Sequence, residues 1–181
     1  MLTNNFKKIL FKYIFGFSVN FTENPPTDFS NIPTLISISG SSQHITDYGG
    51  GARGIWFSTV NSLSTLNTTP TNGRGYIILG NGTTEPTPED YRLESQITEN
   101  LSCDNVSVSR NTMIKTYTAT FSNSGTSPMT VTEIGYVSRF AKIYNAGDYI
   151  YDDFLMDRTV LDTPITIPAG ESRTVTYELS F

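Results

Sequence analysis

The strongest periodic signal in this chain is an alternation of apolar and polar residues near its C-terminus. Residues 173–181 alternate strictly, so that one face of the segment is apolar and the other is hydroxylated or acidic. The apolar set is Val175, Tyr177, Leu179 and Phe181, and the polar set is Thr174, Thr176, Glu178 and Ser180. A period of two residues predicts a β-strand with one face in a core and the other in water.

Similar segments, separated by turn-forming residues, predict further strands. Residues 113–121 place Met113, Tyr117, Ala119 and Phe121 on one face, and Asn123-Ser-Gly125 then predicts a turn into a return strand at 129–136. Shorter strand candidates are residues 34–39, 54–59, 75–79 and 102–109. Many short strands at this spacing predict a mostly β fold, specifically an antiparallel β-sandwich over residues 34–181.

The first 21 residues follow a different pattern, with apolar residues at steps of three and four. These residues are Leu2, Phe6, Ile9, Leu10, Tyr13, Ile14 and Phe17. Such a stripe predicts an N-terminal amphipathic helical arm over residues 1–21. Residues 22–33 contain Pro25, Pro26 and Pro33, which exclude a helix and predict a linker between the arm and the β domain.

Three roles for the arm are open. A secretory signal peptide is disfavoured because Lys12 interrupts the apolar stretch and residues 18–24 contain no small-residue cleavage site. A basic amphipathic helix could also lie on a membrane surface, since the segment contains Lys7 and Lys8. The third role is a helical arm that packs on its own domain or on a neighbouring subunit. We expect the neighbouring subunit, so the seven apolar residues are the predicted assembly interface, and we do not expect membrane contact.

The amino-acid composition and net charge limit the kinds of molecule that this chain is expected to bind. Net charge is −5, so binding to nucleic acid is not expected. Charged residues make up 16% of the chain, whereas serine and threonine together number 45. Threonine suits the exposed face of a strand, and aromatic residues, at 12%, can supply much of the buried area.

Residues able to carry catalysis or bind a metal are few. His44 is the only histidine and Cys103 the only cysteine, and neither has a recognisable catalytic context, so we expect a loop histidine and a buried thiol. Carboxylates that could act in hydrolysis include Glu94, Glu133 and Asp157. The densest acidic patch, Asp148, Asp152, Asp153 and Asp157, does not follow a calcium-loop spacing and is interpreted as a solvated acidic loop. The sequence therefore predicts no catalytic residue, metal site or cofactor.

Aromatic residues leave one further alternative open. Tyr48, Trp56, Tyr76 and Tyr91 could form a sugar-binding face, because aromatic rings stack on sugar rings, although packing in a core or an interface is the simpler expectation. A receptor- or carbohydrate-binding module is therefore the alternative function.

The longest ordered loop predicted from the sequence is Gly80-Asn-Gly-Thr-Thr-Glu-Pro-Thr-Pro-Glu-Asp-Tyr-Arg-Leu-Glu-Ser95. Its glycine, proline and threonine residues predict an ordered loop that connects two strands. The spacing of Tyr91 and Leu93 predicts that both side chains pack into the core. Its predicted structural positions are Gly80, Gly82, Asp90, Tyr91 and Leu93.

Three stretches together resemble a family of bacteriophage virion structural proteins. They are the opening Met1-Leu-Thr-Asn-Asn-Phe-Lys-Lys8, the loop 80–95, which is similar to the family's Gly-x-Gly-Thr-Thr-x-Pro-x-x-x-Asp-Tyr-x-Leu-Glu pattern, and residues 157–172 preceded by Glu133-Ile-Gly135. The resemblance implies a non-enzymatic component of the virion, in the tail, neck or another minor position. It implies partners among other virion proteins, including copies of this chain.

Overall fold

The computed structural model describes residues 1, 3–5, 34–44, 75–111, 114–145 and 148–180, and this part of the chain is mostly β. Eight strands follow in order. They are β1 (Thr34–Ile36), β2 (Ser42–His44), β3 (Gly75–Gly80), β4 (Leu101–Asn111), β5 (Ile114–Asn123), β6 (Met129–Asn145), β7 (Asp148–Ile167) and β8 (Ser172–Ser180).

The strands form two antiparallel three-stranded sheets and one small hairpin. One sheet has the order β3-β6-β7 and the other β4-β5-β8, while β1 pairs with β2. Short segments carry the chain from one large sheet to the other, since residues 124–128 join β5 to β6 and residues 168–171 join β7 to β8. The turn after β5 is organised by Asn123, whose Oδ1 accepts a hydrogen bond of 2.9 Å from the backbone N–H of Gly125. The mostly β, antiparallel part of the predicted fold is therefore confirmed.

The two large sheets contribute to one buried cluster, which follows the alternation seen in the sequence. In β5 the buried residues are Tyr117, Ala119 and Phe121, and in β8 they are Val175 and Tyr177. The intervening threonines of both strands lie on the more exposed face and bond to one another across the strands, as Thr120 and Thr174 do at 3.1 Å. The predicted inward and outward faces of β5 and of the described part of β8 are confirmed.

Tyrosine hydroxyls join the two sheets inside this cluster. The Tyr117 hydroxyl on β5 donates to the Tyr136 hydroxyl on β6 at 2.7 Å. Tyr177 on β8 donates its hydroxyl to the carboxylate of Asp157 on β7. Burial raises the pKa of Tyr136 and of Tyr177, and the negative charge of Asp157 raises that of Tyr177 further. Both phenols are therefore held in the neutral form, in which Tyr177 donates its bond to Asp157 and Tyr136 accepts the bond from Tyr117.

The β3-β6-β7 sheet is buried on its opposite face as well. A second apolar cluster there contains Tyr76, Ile78, Val137 and Leu155, and Leu93 from the loop after β3 completes it. A strand buried on both faces needs apolar residues at consecutive positions rather than alternating ones. Residues 76–79 of β3 have this composition, and all four side chains are buried.

Strand β7 corrects the sequence-based interpretation of residues 148–157. They were expected to form a solvated acidic loop, but they lie in a strand of 20 residues that pairs with β6 along its length. Asp153 and Asp157 are accommodated because each has a cationic partner, respectively Arg139 and the N-terminal ammonium group of Met1. An unpaired charge is unfavourable in a partly buried sheet, but a carboxylate with a cationic partner can be accommodated there.

Other strand boundaries also differ from those expected. The predicted strand 34–39 ends at Ile36, because residues 38–40 turn into β2. Gly40 in this turn has a φ of 85°, a left-handed conformation that glycine adopts without strain. Strand β6 was expected to end at residue 136 but continues to Asn145, and His44, expected in a loop, lies in β2.

Several expectations concern residues outside the described part of the chain. They are the linker 22–33, the strand 54–59, and the assembly stripe of Leu2, Phe6, Ile9, Leu10, Tyr13, Ile14 and Phe17. Of the predicted arm, the structure describes residues 1 and 3–5, and residues 4 and 5 have helical backbone geometry. Within the described residues, no helix is long and apolar enough to span a membrane.

Candidate functional site

The most elaborate polar site lies where the loop after β3 folds back over β6 and β7. The loop closes on its own start, because Ile97 donates its backbone N–H to the carbonyl of Leu79 at 2.9 Å. The backbone N–H of Asn81 donates to the carbonyl of Ser95, also at 2.9 Å. These bonds bring residues 80–95 against the outer face of the sheet.

Glu133 on β6 is the centre of the site, and its side chain is fully buried. Its Oε1 accepts backbone N–H groups from Gly82 at 3.1 Å and Ser95 at 2.8 Å. Its Oε2 accepts the backbone N–H of Glu94 at 3.2 Å and Nε of Arg158 at 2.8 Å. A buried carboxylate is tolerated only when it is paired and hydrogen-bonded, and here both oxygens are satisfied.

Arg158 on β7 extends the site to the middle of the loop. Its side chain is 3% exposed, and its Nη1 donates to Oδ2 of Asp90 at 2.8 Å. Its Nη2 donates to the carbonyl of Thr84 at 3.1 Å and lies 3.6 Å from a carboxylate oxygen of Glu94. The guanidinium group therefore contacts three carboxylates at once, which suits its planar array of donors.

The two loop carboxylates are held in the ionised form. Burial acts to raise the pKa of Asp90, but hydrogen bonds from Thr87 and Arg158 outweigh it and lower that pKa below its ordinary value. Hydrogen bonds from the backbone and hydroxyl of Thr84, and from the backbone of Thr83, lower the pKa of the exposed Glu94. A carboxylate with a lowered pKa stays deprotonated at neutral pH, so both act here as acceptors that shape the loop.

Glycine at position 82 is required by this packing. A Cβ atom there would lie 2.6 Å from Oε1 of Glu133 and 2.6 Å from Cβ of Glu94. Gly80 is similarly enclosed, with the carbonyl oxygen of Ser95 at 2.7 Å from the same hypothetical atom. The two glycines of the loop pattern therefore allow the backbone to approach the buried carboxylate.

The remaining predicted loop residues, Tyr91 and Leu93, have different surroundings. Leu93 is 2% exposed and lies in the outer apolar cluster. Tyr91 is half-buried, and its ring lies next to Gly40, in the turn between β1 and β2. The Arg92 guanidinium lies 5.4 Å from the centre of the Tyr91 ring. The leucine fills an apolar cluster, while the tyrosine connects the loop to the β1–β2 hairpin.

The first residues of the chain contact the same strand from its outer edge. The backbone N–H of Arg158 donates to the carbonyl of Met1 at 3.1 Å, and Thr3 donates its backbone N–H to Met156 at 3.0 Å. The amide of Asn5 forms two hydrogen bonds to the backbone of Ile36, as an added strand would. The described start of the chain is therefore packed on its own β domain.

Other residues considered from sequence lie apart from this site. Cys103 is buried, with 4% of its surface exposed. Asp157 directly precedes Arg158 along the chain, but its carboxylate contacts Tyr177 and the Met1 ammonium group. Among the described residues, no group of three or more His, Cys, Asp or Glu side chains is placed to hold a metal ion.

The role of Arg158 and Glu133 was missed from the sequence. Glu133 is named in the sequence analysis as a candidate carboxylate and as part of the resemblance, and Arg158 lies within residues 157–172 of that resemblance, but neither is assigned a partner there. One local signal existed for Glu133, because it lies in an otherwise apolar or threonine-rich strand segment, whereas Arg158 directly follows Asp157. A charge in such a segment often has a buried partner, but the sequence does not say which one.

Comparisons with known proteins add no relative. No protein-family model matches the chain, and no significant match was found among curated proteins or solved structures.

Proposed function

We propose that this chain is a non-enzymatic structural component of a bacteriophage virion, placed in the tail, neck or another minor position. In this proposal residues 34–181 form a β-sandwich, and residues 1–21 form a helical arm that docks on other virion proteins, including copies of this chain. Its partners do not include nucleic acid.

One observation carries the proposal. The stretches behind the sequence resemblance are far apart along the chain, yet they meet around Arg158. The loop 80–95 supplies Asp90, β6 supplies Glu133, and the opening segment supplies the carbonyl of Met1. Residues from remote stretches that converge on one buried contact set belong to one structural unit. This convergence supports the proposal that the resemblance reflects a shared fold and role, and not a similarity of composition alone.

The chemistry of the described part is consistent with a structural role. Every buried side-chain nitrogen and oxygen in this part has a hydrogen-bond partner. The outward faces of β5 and β8 present threonine and serine hydroxyls that bond across the strands, such as Ser122 to Ser172 at 2.7 Å. These polar groups bond to one another within the fold, which supports a structural role.

The decisive experiment asks whether the chain occurs in particles. Quantitative mass spectrometry of virions purified from cultures that produce the chain should find it at a constant copy number per particle. Its absence from the particles, together with binding of the purified protein to host-surface glycans, would favour the receptor- or carbohydrate-binding alternative instead.

A second experiment tests the arm. Replacing Ile9 and Ile14 with Asp changes the predicted stripe, whereas replacing Phe11 and Phe15 with Asp adds the same charge to positions outside the stripe. We expect the first pair to abolish self-association measured by light scattering coupled to size-exclusion chromatography, and the second pair to preserve it. Equal effects of the two pairs would contradict docking through the stripe.

A further inference from the structure

A cleft lies between the segment that leads into β4 and the turn that joins β5 to β6. Its volume is about 530 Å³, within the range of roughly 300–1,000 Å³ that is typical of small-ligand sites. The lining comes from Asn81, Ile97 and Asn100 on the chain before β4, and from Asn123 and residues 125–130 around the turn. Every one of these residues belongs to the described part of the chain.

The lining offers hydrogen-bonding groups that the fold itself does not use. Within the described residues, the side-chain amides of Asn81 and Asn100 form no hydrogen bond, and neither do the hydroxyl groups of Thr126 and Thr130. An amide provides two donors and an acceptor, and a hydroxyl both donates and accepts. The cleft therefore presents several donors and acceptors that are available to a ligand.

The position of Asn100 is fixed by the neighbouring turn. Its φ of 56° is the only positive value at a non-glycine position in the described residues, and asparagine is among the few residues that tolerate this conformation. The carbonyl of Asn100 accepts the backbone N–H of Ser124 at 2.8 Å and the Ser124 hydroxyl at 3.2 Å. A Cβ atom at Gly125 would lie 3.5 Å from Nδ2 of Asn100, so glycine there places no side chain against the amide.

The rest of the lining is rigidly supported. Asn123 is buried, and its Nδ2 donates to the carbonyls of Ser127 at 2.9 Å and Ile167 at 3.0 Å, which holds the turn against β7. Ile97 and Met129 are partly buried and pack against the main apolar cluster. A site whose walls are already ordered loses little conformational entropy when a ligand binds.

The chemistry of the lining selects a class of ligand. None of the lining residues is charged, so a charged ligand would leave water without a compensating partner, which is unfavourable. Amides and hydroxyls match a ligand that carries many hydroxyl groups, and Ile97 and Met129 offer apolar surface to its C–H groups. We propose that this cleft binds a neutral saccharide, with Asn81 and Asn100 contacting its hydroxyl groups.

This site goes beyond the virion role and does not depend on it. It also differs from the aromatic sugar-binding face considered from the sequence, because no aromatic residue lines the cleft. A virion component with such a site would recognise carbohydrate through its β domain, while its N-terminal arm docks on other virion proteins.

A titration followed by NMR tests for the ligand. The isotope-labelled full chain is titrated with four neutral trisaccharides, namely cellotriose, maltotriose, mannotriose and chitotriose. Cationic triglucosamine and anionic trigalacturonate are the charged comparators. We expect at least one neutral trisaccharide to shift the side-chain amide resonances of Asn81 and Asn100 below about 10 mM, whereas the charged comparators leave them unchanged. The absence of any shift with the neutral sugars, or equal shifts with the charged ones, would overturn the proposal.

Two variants test the residues that are proposed to contact the sugar. Asn100→Gly removes the amide and keeps a backbone that adopts positive φ without strain, and Asn81→Ala removes the other amide. We expect each to weaken binding about tenfold, as loss of a hydrogen bond to the ligand implies. Asn4→Ala is the matched control, because Asn4 does not line the cleft, and its affinity should be unchanged. Circular dichroism establishes that each variant folds, and an unchanged affinity in both cleft variants would refute the site.

A third variant tests the dependence on charge. Thr126→Glu places a carboxylate in the exposed part of the lining, so triglucosamine should then bind about tenfold more tightly than it binds to the original chain. No gain for the cationic sugar would mean that saccharides bind elsewhere, against the proposal. Failure of these titrations would leave the proposed virion role intact, whereas binding by a chain that is absent from particles would refute that role and support the cleft.

Discussion

Glu133 and Arg158 form an ion pair of 2.8 Å in which the two side chains are 0% and 3% exposed. Moving two charges out of water is costly, and the cost is offset only when hydrogen bonds satisfy the remaining lone pairs and protons. Here the carboxylate also accepts three backbone N–H groups of the loop, from Gly82, Glu94 and Ser95. The pair therefore connects the shape of the loop to the pairing of β6 with β7.

Removing the carboxylate should be strongly destabilising. Glu133→Ala removes one of the two carboxylates that lie 2.8 Å from the buried guanidinium group, and it orphans three backbone N–H groups. We therefore expect a loss of about 3–5 kcal/mol in the free energy of unfolding. Urea denaturation measures it. Glu178→Ala, at an exposed position of β8, is the control and should change the free energy by less than about 0.5 kcal/mol. Similar losses in both variants would show that the buried pair has no special role.

Gly82→Ala tests the close approach of the loop to the same carboxylate. The added methyl group would lie 2.6 Å from Oε1 of Glu133, so the loop must move and lose the bond from its backbone N–H. We expect a loss of about 1–3 kcal/mol in the free energy of unfolding. In the Glu133→Ala background one obstructing oxygen is gone while the contact with Cβ of Glu94 remains, so the cost of Gly82→Ala should shrink there but not vanish. A cost that is unchanged in the double variant would mean that the two residues do not interact.

Stability should decrease on acidification, in part because of Asp90. Its pKa is lowered in the folded protein, since hydrogen bonds from Thr87 and Arg158 outweigh its burial. A carboxyl group with a lowered folded pKa contributes stability above its unfolded pKa, near 3.8, and loses that contribution as pH falls through the folded value. We expect denaturation series between about pH 6 and pH 2.5 to show a shallower dependence for Asp90→Asn than for the original chain. Parallel curves would contradict the shift.

Asn5→Ala should loosen the hairpin of β1 and β2. The Asn5 amide donates to the carbonyl of Ile36 at 2.7 Å and accepts its N–H at 3.0 Å. Losing both bonds should cost about 1–3 kcal/mol and expose the Ile36 amide to faster hydrogen exchange. Asn4→Ala is the matched control, because Asn4 is anchored by its backbone N–H, which donates to Pro88 at 2.7 Å. Unchanged exchange at Ile36 in the Asn5 variant would show that the side chain does not hold the hairpin.

Local patterns in the sequence were sufficient for several strands. The faces of β5 and β8 could be assigned because side chains alternate strictly along a strand, so Tyr117 and Val175 appear as inward residues without knowledge of any partner. Turn residues such as Asn123 also act through bonds to near neighbours. These features depend on a few consecutive residues, which is the information that a single sequence contains most directly.

Other features depend on partners that are remote along the chain. Residues 148–157 were interpreted as a solvated acidic loop from their density of aspartates. Aspartates disfavour strands when considered alone, but here Arg139 neutralises Asp153 from the neighbouring strand. Loop residues 80, 82 and 93 were recognised as structural, but their contacts with Glu133 and Leu155 were not.

By itself, the sequence determined that this protein would be built of antiparallel strands, because alternation and turn chemistry are local properties. Only the tertiary structure decided that Asp90, Glu133 and Arg158 would share one buried site. Arg158 lies 68 positions after Asp90 and 25 positions after Glu133 along the chain. Charges of this kind are stable only when the fold brings them within hydrogen-bonding distance, and no local pattern specifies that distance.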